Sequence, residues 1–217
     1  MESLEEINQF TRNSYNKAAQ KYYNLFYNEL EEKEYDKKFL DEYLKLFNTN
    51  SIICSVGCGP CGHIEKYIYQ RGFRIIGIDI SEKCIEIAKK NNPTIQFETG
   101  DFSKINYEDN YFHGIVSYYS IVDSPKNYLN SIFKEFKRVL KKDGFLLLVV
   151  KEGNTEGYEK ELLGIETKIY FSLFTEKEIK TYLEAEGFEI IKMHKRNPYE
   201  DEIKINRIFS ISKKSVS

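Results

Sequence analysis

The stretch "CSVGCGPCG", residues 54–62, carries two chemistries in one place. Its cysteines, Cys54, Cys58 and Cys61, have the C-x3-C-x2-C spacing with which three thiolates can converge on an iron–sulfur cluster. Its glycines, Gly57, Gly59 and Gly62, form a G-x-G-x-x-G turn. Such a turn lets backbone approach a nucleotide-like cofactor without Cβ atoms in the way, while the following helix directs free N–H groups at it. The two readings demand different things of Cys54. It lies inside the apolar run "SIICSV", where a strand fixes its direction and sends Ile53 and Ser55 to the opposite face. A cluster needs an irregular loop that turns each sulfur inward. Cys54 is therefore read as a small core residue, Cys58 and Cys61 as loop residues, and the glycines as the carriers of chemistry; no metal site is expected.

Two carboxylates extend the glycine reading. The run "RIIGIDIS" ends on Asp79, about 20 residues beyond Gly57, the interval at which a strand-end acid reaches ribose hydroxyls. Ser81 already supplies the cap of the next helix, which leaves Asp79 for a ligand. The same interval further on, "FETGDFSKI" places Asp101 at the carboxyl edge of another strand, where ligands of open parallel sheets gather. A nicotinamide-dependent reductase would share the turn and Asp79 but has no use for Asp101.

The elements that must position these groups follow from the apolar periodicity. Leu4, Ile7, Phe10, Tyr15, Ala18, Tyr22, Leu25 and Phe26 recur at helical spacing, and Phe39, Leu40, Tyr43, Leu44 and Phe47 mark a second helix. From "SIICSV" onward, short runs rich in Ile and Val alternate with amphipathic stretches, the pattern of βαβ units building a parallel sheet buried on both faces. Ser124 with Pro125 reads as a helix start, and Thr175 with Glu178 as a capping box whose helix Gly187 ends. "FEIIKMHK" and "KINRIFSISKK" are two late strands that pair as an antiparallel edge, Arg207 being an edge charge, and "VKEGNTEGY" is a loop. The expected organisation is a helical lid over 1–48 and a Rossmann-like domain over 49–217.

Bulk properties narrow the function. A chain of 217 residues with 41% hydrophobic and 15% aromatic content buries one core. A formal charge of −2 gives no basic field for nucleic acid, and no apolar run approaches the roughly 20 residues of a membrane helix. The N-terminus lacks a signal-peptide pattern, so a cytoplasmic protein with reduced thiols is expected.

In order and spacing, "VGCGPCG", "IIGIDIS", "GDF", "YFHGIVSYYSI" and "EFKRVLKKDGFLLL" resemble the class I S-adenosylmethionine-dependent methyltransferases, from about Ser51 to Val150. "YNKAAQKYY" is similar to the Y-D-x-x-A-x-x-Y helix that lids many small-molecule members. The resemblance implies an α/β, Rossmann-like, seven-stranded, mostly parallel sheet with the last strand antiparallel, helices on both faces and an N-terminal helical lid. It implies a cofactor site of Ser55, Gly57, Cys58, Gly59, Asp79, Ile80, Asp101, Phe102, Ser117 and Tyr118. The glycines would meet the methionine part of S-adenosyl-L-methionine, Asp79 the ribose, Asp101 and Phe102 the adenine, and Ser117 and Tyr118 the sulfonium end. Three positions depart from the family: Ser55 stands for an acid, Cys61 for the third glycine, and His113 for an acid opening the fourth strand.

The implied reaction is in-line methyl transfer to O, N, C or S of a small molecule, catalysed by a monomer or homodimer. A sulfonium methyl is already activated, so alignment and water exclusion dominate. No catalytic residue stands out. Tyr15, Tyr22 and Tyr119 are the candidates near the mouth, with Lys151, Glu152 and Tyr158 in the following loop; His63 and His194 are weaker candidates for a base. "SYYS" in place of N-P-P-Y argues against amino methylation of DNA bases, and residues 152–173 are too few for a large recognition domain. The alternatives are an NAD(P)-dependent reductase and a non-catalytic S-adenosylmethionine-binding module.

Overall fold

The structure, a computed structural model, describes residues 2–215. Helix α1 spans Leu4–Phe26 and starts on a capping box in which Ser3 and Glu6 satisfy each other's backbone N–H. Helix α2 spans Glu34–Leu44. The alternating units then follow: β1 (Ile52–Val56), α3 (His63–Gln70), β2 (Arg74–Asp79), α4 (Glu82–Asn91), β3 (Gln96–Thr99), β4 (Phe112–Tyr118), α5 (Leu129–Val139) and β5 (Leu140–Lys151). A hairpin of β6 (Glu156–Leu162) and β7 (Ile165–Ser172) precedes α6 (Glu176–Ala185), β8 (Phe188–Arg196) and β9 (Arg207–Lys214).

Seven strands form one sheet in the order β3-β2-β1-β4-β5-β9-β8, with β9 antiparallel to both neighbours. One face buries Phe112, Phe133, Phe136 and Leu146; the other buries Phe39, Leu40, Tyr43, Ile64 and Phe97. The second helix is thus part of the sheet's core: the buried Tyr43 hydroxyl donates to the Ile115 carbonyl of β4 at 2.9 Å. Among the described residues, no helix is long and apolar enough to cross a membrane.

Four sequence expectations change. The late strands pair with each other, but β9 lies inside the sheet and only β8 is at the edge. The burial patterns explain this, since β9 is buried along most of its length whereas β8 is largely exposed. Arg207 is accordingly a buried residue that donates to the carbonyls of Ile203 and Ile205. Ser124 makes no side-chain cap; a short 3-10 turn over 126–128 leads into α5. Of the stretch expected as a loop, residues 152–155 connect β5 to β6, while Glu156–Tyr158 already open the β6–β7 hairpin, which packs against α1, with the Ser14 hydroxyl 2.5 Å from that of Thr167.

A buried charge network fastens α2 to the β8–β9 connection. Arg196 pairs with Asp36 at 3.1 Å and with Glu202 at 2.9 Å, and Lys33 reaches Glu202 at 2.7 Å. The Arg196 and Lys33 partners hold the Glu202 carboxyl down at about 2 despite its burial. The Tyr118 hydroxyl donates to Asp36, so the network ends at the carboxyl edge of β4.

Candidate functional site

The carboxyl edges of β3, β2, β1 and β4 lie side by side, and each delivers one part of a single cavity. At the end of β1 the chain turns on Gly57 (φ +67°) and Gly59 (φ +63°), with the Gly57 and Cys58 N–H groups donating to the Ile78 carbonyl. A Cβ on Gly57 would fall 2.4 Å from that of Ser120, whereas one on Gly59 would meet nothing within 4 Å. Gly57 is therefore required for close packing, and Gly59 for its left-handed backbone beside open space.

Asp79 ends β2. It accepts N–H from Gly59 at 2.8 Å and from Ser81 at 2.9 Å, one on each oxygen, which fixes the carboxylate against the turn. Burial pushes its pKa up to about 6, against the pull of those two N–H groups. Beyond β3, Asp101 accepts from Ser103 N at 2.7 Å and from the Asn8 amide of α1 at 2.7 Å. Phe102 meets Phe136 edge-on, with centroids 6.1 Å apart. After β4, Tyr119 takes a positive φ of +58°, a conformation unusual for a non-glycine residue and a recurrent mark of functional turns.

The cavity, with the open solvent at its mouth included, encloses about 920 Å³ of atom-free space. Ser55, Gly57, Cys58, Gly59, Asp79, Ile80, Asp101, Phe102 and Tyr118 line it, as do Tyr15, Tyr22 and Tyr119. Ser117 does not: it is fully buried, its hydroxyl 2.6 Å from that of Ser120, and Ser120 lines the cavity in its place. Lys151, Glu152 and Tyr158 are absent from the lining; Glu152 instead binds Lys195 and Asn206, and Tyr158 donates to Glu2. His194 lies on β8 against the Tyr35 hydroxyl at 2.7 Å, and His113 accepts from Ile52 N at 3.0 Å.

Sequence reasoning missed several lining groups. Asp123, just after β4, accepts from the Tyr15 hydroxyl at 2.8 Å, and burial raises its pKa to about 6. Its signal was available, because it follows a parallel strand's carboxyl end as Asp79 and Asp101 do. Glu65 lies on the buried face of α3 beside Ile64 and Ile68, an acid in a core position. His63, a weaker candidate in the sequence and so not among the groups missed, lines the cavity with its Nδ1 unpartnered, and burial lowers its pKa to about 4, so the ring is neutral. Asn8, Thr11 and Glu29 come from the N-terminal segment, which no local pattern places over the sheet.

The cysteines do not converge. Cys54 and Cys61 are buried, all four thiols are free, and burial raises the pKa of each. Among the described residues, no three His, Cys, Asp or Glu side chains are grouped so as to hold a metal ion.

S-Adenosylmethionine fits the groups present. The cavity contains buried polar atoms that lack any partner: both Glu65 carboxylate oxygens, His63 Nδ1 and the Tyr119 hydroxyl. Among the described residues, five acids line it (Glu29, Glu65, Asp79, Asp101 and Asp123) and no Lys or Arg does. Unsatisfied buried polar groups are costly unless a ligand completes them, and an acidic lining suits a cationic one.

The sheet order, with its antiparallel strand beside β5, is the fold of the class I S-adenosylmethionine-dependent methyltransferases. A family model described as a methyltransferase domain matches residues 53–144. The sterol 24-C-methyltransferase of Saccharomyces cerevisiae is 30% identical over 99 residues, a match covering 43% of this chain and 25% of that protein. The chain thus spans a quarter of the length of the sterol methyltransferases it matches. An uncharacterized methyltransferase of Oceanobacillus iheyensis is 28% identical over 171 residues, 77% of each chain. Among solved structures, the 1,6-didemethyltoxoflavin-N1-methyltransferase of Burkholderia thailandensis, with bound S-adenosylhomocysteine, superposes with a TM-score of 0.75 at 13% identity, covering 100% of this chain and 92% of that one.

Proposed function

We propose that this protein transfers a methyl group from S-adenosylmethionine to a small-molecule acceptor and releases S-adenosylhomocysteine. The observation that carries the proposal is the single acid-lined cavity across the ends of β3, β2, β1 and β4, with partnerless polar atoms inside it. When bound, the cofactor supplies a methyl on a positively charged sulfonium, ready for in-line displacement. Asp79, anchored by Gly59 and Ser81, holds the ribose hydroxyls with charge-assisted hydrogen bonds. Asp101 and Phe102 hold the adenine, and the Gly57–Gly59 turn admits the methionine part. Ile80 and Cys58 complete the walls, and Ser117 acts from below by orienting Ser120.

Tyr15, Tyr22 and Tyr119 orient the acceptor beneath α1 and exclude water. Asp123, through its hydrogen bond to Tyr15, takes up the acceptor's proton where the acceptor has one to lose; a carboxylate with a pKa near 6 is suited to that task at neutral pH. The segment over 1–48 contributes the lid through α1. A small acceptor agrees with the enclosed site and with the structural likeness to an enzyme named for a small heterocycle. Free thiols and a −2 charge suit a monomer or homodimer in the cytoplasm with no nucleic-acid partner. A screen of metabolites for S-adenosylhomocysteine release tests the reading. Turnover with a small metabolite, lost in Asp79→Ala, is expected; protein that binds the cofactor but methylates no small molecule contradicts it.

A further inference from the structure

Glu65 is an acid where the fold calls for an apolar residue. It lies in the first turn of α3, directly after Ile64, is 0% exposed, and neither carboxylate oxygen has a hydrogen-bond partner. An ionised carboxylate is tolerated in such a place only when a counter-charge arrives. The titratable groups around it supply none: Asp79 on β2 is another acid, and Cys54, Cys58 and Cys61 have thiol pKa values raised by burial and stay protonated. His63, next on its own helix, is neutral. Burial pushes Glu65 up to about 7; the Ser55 hydroxyl and Glu65's own backbone N–H offset this only in part, and neither sits in hydrogen-bond geometry to the carboxylate.

The sheet order says which part of a ligand would reach it. With the adenine at Asp101 after β3 and the ribose at Asp79 on β2, the next strand across is β1, which carries Ser55 and leads into the turn before α3. We infer that Glu65 receives the ammonium of the cofactor's amino-acid head, a helix carboxylate serving where Ser55 leaves the end of β1 without a charge. The inference rests on the methyltransferase reading above and extends it to a residue that no strand-end pattern marks.

The test compares two ligands by calorimetry: S-adenosylhomocysteine, which has the amino-acid head, and 5′-methylthioadenosine, which lacks it. Glu65→Gln is expected to weaken the first at least about tenfold, as loss of a charge-assisted hydrogen bond does, and to leave the second unchanged. Adding a strand-end acid, in Ser55→Asp/Glu65→Ala, is expected to restore part of the loss. The native chain gives an independent readout should the variant not fold. In buffers of different ionisation enthalpy near pH 6.5, the first ligand should release more protons than the second, because only its ammonium drives Glu65 to ionise. The second ligand controls for Asp79. Unchanged affinity for S-adenosylhomocysteine in Glu65→Gln, equal weakening of both ligands, or equal proton release overturns the inference. Native protein that binds neither ligand overturns the methyltransferase reading itself, an outcome distinct from a native chain that binds both while the variant behaves alike.

Discussion

At the residue scale Asp79 fixes the glycine turn through Gly59 and Ser81, and in the proposed function its remaining lone pairs hold the ribose. Asp79→Ala is expected to cost about 1.5 to 3 kcal/mol of S-adenosylhomocysteine binding. Calorimetry checks this, and unchanged affinity would move the site elsewhere. Asp123 has a different role, since it touches Tyr15 and lies past β4. Asp123→Asn is expected to lower kcat by about a hundredfold for an acceptor that must lose a proton, with cofactor affinity kept; single-turnover rates separate the two effects. The glycine turn, Asp79 and Asp101 were legible in the sequence because each sits at the end of an apolar run whose period announces a strand. Glu65 and Asn8 of α1 were not, and His63 was marked only as a weaker candidate for a base, since their importance comes from what faces them across the fold. Ser117 shows the complementary error. The strand's end is visible in sequence, but which of two adjacent serines points into the cavity depends on the turn at Tyr119.

Helix α1 is the element that closes the site. Asn8, Arg12 and Asn16 recur every fourth residue and so share one face. They reach Asp101, the Ile80 carbonyl and Ser81 in turn. The opposite flank rests on the β6–β7 hairpin through Ser14. Asn8 donates to the Asp101 oxygen facing α1, so the proposed adenine site at Asp101 would couple adenine binding to the position of α1. Asn8→Ala is expected to speed S-adenosylhomocysteine release several-fold, read by stopped flow, while melting shifts little because Asn8 is not in the core; an unchanged off-rate would mean the lid does not gate the cofactor. The helices and the parallel strands could be read from periodicity and capping, as Thr175 with Glu178 shows. The β6–β7 hairpin was harder to read: β6 is mostly exposed and charged, without the apolar alternation that marks a strand, although β7, which packs on α1, alternates Ile165, Thr167, Ile169 and Phe171 with polar residues. Likewise the place of β9 inside the sheet depends on which of two paired strands has the more apolar faces.

At the scale of the whole molecule, the site's acids make stability depend on pH. Glu65, Asp79 and Asp123 have pKa values raised to about 7, 6 and 6, from ordinary values of 4.5, 3.8 and 3.8. Each binds its proton more tightly when folded, so its contribution is full below the ordinary value and lost as pH rises through the raised one. His63, lowered from 6.5 to about 4, contributes fully above 6.5 and loses that contribution as pH falls through 4. Three acids outweigh one imidazole, so the ligand-free protein should melt several degrees higher at pH 5.5 than at 7.5. A thermal scan showing the reverse would contradict the burial of these groups. The same acid-lined cavity is the basis of the methyltransferase assignment, and the most direct test of it is titration of the native protein with S-adenosylhomocysteine and, separately, with NADH and NADPH. The account predicts one-to-one binding of S-adenosylhomocysteine and no binding of the nicotinamides; tight NADH or NADPH binding with no response to S-adenosylhomocysteine would contradict it.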